Sequence, residues 1–211
     1  MAINIAKGTE MVYAAIRYVF CGIVFVVGYI IVRKSKIIKK KRAYILLVSV
    51  CIILCSAAHL FPAENLFIDF NSPEDVFWYT CSGEILDITY GDDSCMVYYS
   101  EGNSKYAHSI MPKSAAGYKI PSVFSVREIS NRFDQDGAFN VFSVTKTNDY
   151  YVLGTFFLYP SEIDVYNGDD EKVEVDIKRL DDSPFMYFFL EDYAEGHYLV
   201  ADGTKIPLAQ R

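Results

Sequence analysis

Two long apolar stretches open the chain: 11–32, MVYAAIRYVFCGIVFVVGYIIV, with Arg17 as its one charge, and 43–61, AYILLVSVCIILCSAAHLF, with none. At about 1.5 Å of rise per residue each reads as a helix long enough for a bilayer. The ten residues between them, RKSKIIKKKR, hold Arg33, Lys34, Lys36, Lys39, Lys40, Lys41 and Arg42. The short tail at 1–10 offers only Lys7 and Glu10. Counted by the positive-inside rule, this predicts a two-helix transmembrane hairpin at the plasma membrane with a cytoplasmic loop at 33–42 and both ends outside. The seven basic residues act as orientation signals and place membrane lipid among the expected partners. Arg17 and His59 lie near the outer helix ends and can snorkel. Cys21, Cys51 and Cys55 read as small packing or lipid-facing residues. A competing reading takes Lys39–Arg42 and the following apolar run as a secretory signal cleaved after Ala58; Leu54-Cys55 makes a poor lipidation site.

From residue 62 the pattern changes to short alternating segments. In 71–81, NSPEDVFWYTC, Ser72 is placed to cap, Pro73 to take the first helical position, Glu74 and Asp75 to face the positive helix end, and Gly83 to end the helix. Strands are expected at 85–90 and 95–100 around the turn Gly-Asp-Asp-Ser at 91–94, then at 105–111, 139–146, 150–159, 172–177, 185–190 and 197–201. Short Gly, Asn and Asp connections such as 147–149 predict hairpins. Residues 62–211 therefore read as one α+β domain, mostly antiparallel sheet with one or two helices. YYVLGTFFLYP (150–160) and PFMYFFL (184–190) are apolar on both faces, as central strands covered on both sides would be.

Charge divides at the same boundary: nine basic residues and one acidic up to residue 61, eleven basic and twenty-six acidic beyond it. So acidic a domain disfavours nucleic acid and suits neutral or cationic partners, or serves solubility alone. Its thirteen Tyr, twelve Phe and one Trp either fill the core or leave one sheet face open as a surface for another protein, with Tyr151, Phe157, Tyr159 and Tyr187 as candidates.

Motifs for acyl transfer, zinc hydrolysis and nucleotide binding are missing, and no cofactor is expected. His108 and His197 are scattered singly in expected strands and read as structural. Asp134-Gln-Asp136-Gly137 matches the middle of a calcium loop, but Arg132 and Ser143 stand where its first and last ligands belong. Asn167-Gly-Asp-Asp-Glu171 reads as a hydrated turn. A Cys81–Cys95 disulfide is disfavoured, since the two should lie near opposite ends of a strand about 20 Å long.

Residues 61–103, FPAENLFIDFNSPEDVFWYTCSGEILDITYGDDSCMVYYSEGN, resemble segments of uncharacterised membrane-anchored proteins of low-GC Gram-positive bacteria; the resemblance implies no activity. A membrane-anchored extracytoplasmic binding protein is the leading expectation: an accessory subunit, a surface sensor or an immunity-type factor. An envelope-acting enzyme and a structural subunit of a membrane complex are the alternatives.

Overall fold

A computed structural model describes the backbone of residues 3–35, 39–60, 62–103, 105–179 and 184–209, with side chains described there except at 3–17, 20, 58–60 and 63. Helix α1 (Ile3–Lys34) and helix α2 (Lys40–Leu60) form an antiparallel pair. The expected tail at 1–10 is thus helical from Ile3, and of the basic segment Arg33, Lys34, Lys40, Lys41 and Arg42 fall in helix ends. Arg33 and Lys34 fall in the last turn of α1, where cations complement the helix dipole. Lys40, Lys41 and Arg42 open α2, and Lys40 Nζ donates to the Arg33 carbonyl at 3.2 Å, which ties the two ends together. Lys36 lies outside the described residues, as do the side chains of Arg17, Ala58 and His59 on which the snorkelling and cleavage readings rest.

The transmembrane assignment requires correction. Among the described residues no helix is long and apolar enough to cross a membrane. Helix α1 carries Lys7, Glu10, Arg17, Arg33 and Lys34 along its length, and α2 opens on Lys40, Lys41 and Arg42. Two spans, a plasma-membrane location and an outward-facing domain are accordingly not retained. The helix pair itself stands, and its outer faces carry exposed Ile23, Phe25, Val26, Ile45, Ile52 and Ile53.

Among the described residues the remainder is built from three antiparallel sheets, one α-helix and a short 3-10 helix at Ala63–Leu66. The first sheet has the order β1 (Glu84–Tyr90), β2 (Ser94–Gly102), β3 (Lys105–Ser114), β4 (Gly117–Tyr118). The central sheet runs β10 (Lys178–Arg179), β11 (Phe185–Glu191), β7 (Asp149–Phe156), β6 (Gly137–Val144), β5 (Val126–Phe133). The third runs β13 (Thr204–Pro207), β12 (Tyr198–Ala201), β8 (Ile163–Tyr166), β9 (Lys172–Val173). Helix α3 (Pro73–Thr80) starts as its sequence predicts, with Ser72 Oγ accepting from the Asp75 N–H at 3.2 Å and Pro73 in the first turn.

Alternation along the strands sets the layers. On β2, Cys95, Val97 and Tyr99 pack with Val76, Phe77, Met111 and Ile120 beneath α3, whereas Met96 and Tyr98 pack with Tyr151, Leu153 and Tyr187 of the central sheet. The central sheet's other face, with Phe139, Val141, Val152, Met186, Phe188 and Leu190, meets Val165, Leu199, Ile206 and Leu208. Strands β7 and β11 are therefore covered on both sides, which is why their sequences read as continuous apolar runs. At about 25 cal/mol per Å² of apolar surface removed from water, burial at these interfaces stabilises the domain.

Candidate functional site

The four candidate surface aromatics divide according to whether they lie within the strands or beyond their ends. Tyr151 on β7 and Tyr187 on β11 both point at the first sheet and are buried. Tyr151 OH lies 2.9 Å from Ser94 Oγ, whose hydroxyl donates to Asp149 Oδ2 at 2.5 Å. Tyr187 OH donates to Asp87 Oδ2 at 3.0 Å. Burial pushes both phenols well above their ordinary range, so they stay protonated donors. These two belong to the core and its fastening, not to a surface.

Phe157 and Tyr159 lie beyond the end of β7 and are exposed, and the fold gathers two further residues to them. Strand β5 ends at Phe133, 71 % exposed; Leu158 is 84 % exposed, and Phe157 and Tyr159 are each a little over half exposed. The turn between β5 and β6 closes with the Asp134 N–H donating to the Gly137 carbonyl at 3.0 Å, and the Phe157 N–H continues the ladder to the Asp136 carbonyl at 3.1 Å. Phe133 and Phe157 thus meet edge to face, ring centroids 5.6 Å apart. On the other flank Arg179 donates to the Pro160 carbonyl at 2.8 Å and holds its guanidinium carbon 5.9 Å from the centre of the Tyr159 ring. The result is an apolar tip on the end of the central sheet, held by backbone bonds and bordered by charge.

Beside that tip the acidic turn is spoken for. Arg132 pairs with Asp134, and its guanidinium lies 3.9 Å from Asp136. Burial raises the Asp134 carboxyl, but the Asp136 N–H and the Arg132 guanidinium outweigh it and hold the group below the usual carboxylate range. At the second acidic turn Asn167 Oδ1 accepts from the Asp169 and Glu171 N–H groups, and Asp170 accepts from Tyr198 OH at 2.7 Å. No group of metal-ligating side chains forms among the described residues.

The histidines remain apart. His197 is buried in the turn before β12, its Nδ1 3.0 Å from the Ala194 backbone N–H. His108 on β3 is partly buried, its ring centroid 5.1 Å from that of Phe142. Burial lowers the His108 pKa from its ordinary 6.5. The unfolded chain therefore takes up this proton at higher pH than the folded chain. The His108 contribution to stability should be complete above about pH 6.5 and decline as pH falls toward the lower folded value. Urea titrations at pH 7.5 and 5.0 should show a smaller acid loss in His108→Gln than in the natural chain; equal losses would place the effect elsewhere.

Cys95 has an unbridged thiol, so no disulfide joins it to Cys81, and burial pushes it up to about 12. Sequence reasoning missed Phe133 and Leu158; the signal for the first was its place directly before the Asp-Gln-Asp-Gly turn. An open cleft of about 490 Å³ lies elsewhere, between Ile129, Asn131, Tyr150, Tyr193 and Glu195. No family model, no curated protein and no solved structure matches the chain.

Proposed function

We propose that the chain is a binding protein whose β-rich domain grips another protein through Phe133, Phe157, Leu158 and Tyr159. The observation that carries this reading is four large apolar side chains presented together at one sheet end, each more than half exposed among the described residues. Rigid aromatic anchors lose little entropy on binding and dominate interface energies. The acidic balance beyond residue 61 favours a partner face that is neutral or basic and disfavours nucleic acid. In the full chain, a photoreactive residue at position 158 should cross-link one protein, and Phe133→Ala with Phe157→Ala should cut that product at least tenfold while leaving thermal stability unchanged. A product undiminished by the double substitution would remove the tip from the interface.

The outer faces of α1 and α2 favour a second role, as a subunit held in a larger assembly. Their exposed apolar side chains form a surface that calls for an apolar covering. The chain should then be isolated with its covering still attached and aggregate once stripped; a stable, monodisperse bare chain would dismiss this role.

A further inference from the structure

The contact between α1 and α2 brings three cysteines into one seam. On α1, Cys21 is buried and Val24, Gly28 and Val32 are partly buried, while Ile23, Phe25, Val26, Val27, Ile30 and Ile31 between them face out. On α2 the residues turned inward include Tyr44, Leu47, Cys51 and Cys55. Spacings of three and four are those of a helix–helix seam. Two contacts fix the register: a Leu47 methyl occupies the place a Cβ on Gly28 would take, and the Tyr29 and Tyr44 rings lie 5.6 Å apart. In an antiparallel pair that register carries Cys21 to the level of Cys51 and Cys55 and brings its thiol beside that of Cys55. The glycine opposite Leu47 lets the backbones approach, which a cross-link between facing side chains requires.

We propose that Cys21 and Cys55 are a thiol pair built to form a disulfide that locks α1 to α2. The two thiols lose two protons and two electrons to an external disulfide or diazene; the S–S bond forms as the oxidant is reduced to two thiols or to a hydrazine. Cys51, one turn from Cys55 on the same face, stays reduced. Locking would hold the hairpin closed whatever covers its outer faces, and reduction would free the helices to part. The feature is separate from the apolar tip of the sheet domain and stands or falls without it.

The test uses the purified full chain, reduced and then treated with diamide, with maleimide-reactive thiols counted after denaturation. Of the five cysteines, two should disappear and return with dithiothreitol, and peptide mass spectrometry should show a two-hydrogen loss joining the Cys21 and Cys55 peptides. Cys51→Ser should still lose two thiols, whereas Cys55→Ser should lose none. Cys55→Ala serves as a second variant, and helical circular dichroism reports folding for each. Five thiols surviving oxidation, a bond to Cys51 instead, or linkage between two chains on a non-reducing gel would overturn the proposal.

Discussion

Asp149→Ala should lower the stability of the full chain by about 3 kcal/mol or more in urea titrations followed by Trp78 fluorescence. Asp149 is 1 % exposed and fastens the first sheet to the central one, its Oδ2 accepting from the Asp93 N–H at 2.9 Å and from Ser94 Oγ at 2.5 Å. Ser94 is fully buried. Truncation takes the acceptor from the buried Ser94 hydroxyl and opens a small void, and an unsatisfied buried donor costs about 1–3 kcal/mol. Asp149→Asn, whose amide oxygen can stand where Oδ2 stands, should recover most of the loss. Gly91 belongs to the same fastening. A Cβ there would come within 2.6 Å of Asp149 Oδ2 and 2.9 Å of Tyr151 OH, so Gly91→Ala should destabilise in the same direction. An Asp149→Ala chain within about 1 kcal/mol of the natural one would show that the sheets are held by apolar packing alone.

The constellation of Ser94, Asp149 and Tyr151 also shows why residue types alone mislead about chemistry. A serine hydroxyl on a carboxylate resembles part of a nucleophilic site, yet Ser94 and Tyr151 are fully buried and, among the described residues, no histidine joins them. With no access for a substrate, the bonds serve cohesion.

Elements whose local chemistry agrees with their place in the fold were legible from sequence. Ser72-Pro73 marked the start of α3, and Gly91 to Ser94 marked the turn between β1 and β2. The runs that became β7 and β11 were legible as doubly covered strands, but which layer covered which face was not. The third sheet is assembled from short segments at 163–166, 172–173, 198–201 and 204–207, too brief to show much alternation. Tyr151 and Phe157 looked equivalent for that reason, and only the second lies outside the layers. Strand β5 was missed because the register shifts between Glu128 and Ser130, a bulge that breaks the period of two. Strand β13 could have been found: Asp202-Gly203, both at positive φ, is a two-residue hairpin signal between Ala201 and Thr204. The helix pair was legible as helices from apolar content, while its length in a bilayer was the step that failed.

Phe139→Ala should cost about 3–5 kcal/mol, the range for removing a fully buried aromatic ring. The surroundings make a coupling measurable as well. Phe139 on β6 is directly opposite Gly154 on β7, and its ring lies where a Cβ on Gly154 would be. The glycine is thus the floor of the site that the ring fills. Gly154→Ala in the natural background should overpack this contact and cost about 1–3 kcal/mol, because neither the ring, packed against Phe156 at 5.0 Å between centroids, nor the paired strands can easily retreat. In the Phe139→Ala background the same methyl enters vacated space and replaces a flexible residue by one with lower unfolded-state entropy. The second substitution should then be neutral or stabilising, so the double variant should be clearly more stable than the sum of the single effects requires. Urea titrations of all four chains measure the difference. Simple additivity would mean that ring and glycine are not in contact, and the packing of the central sheet against the third would need to be drawn differently.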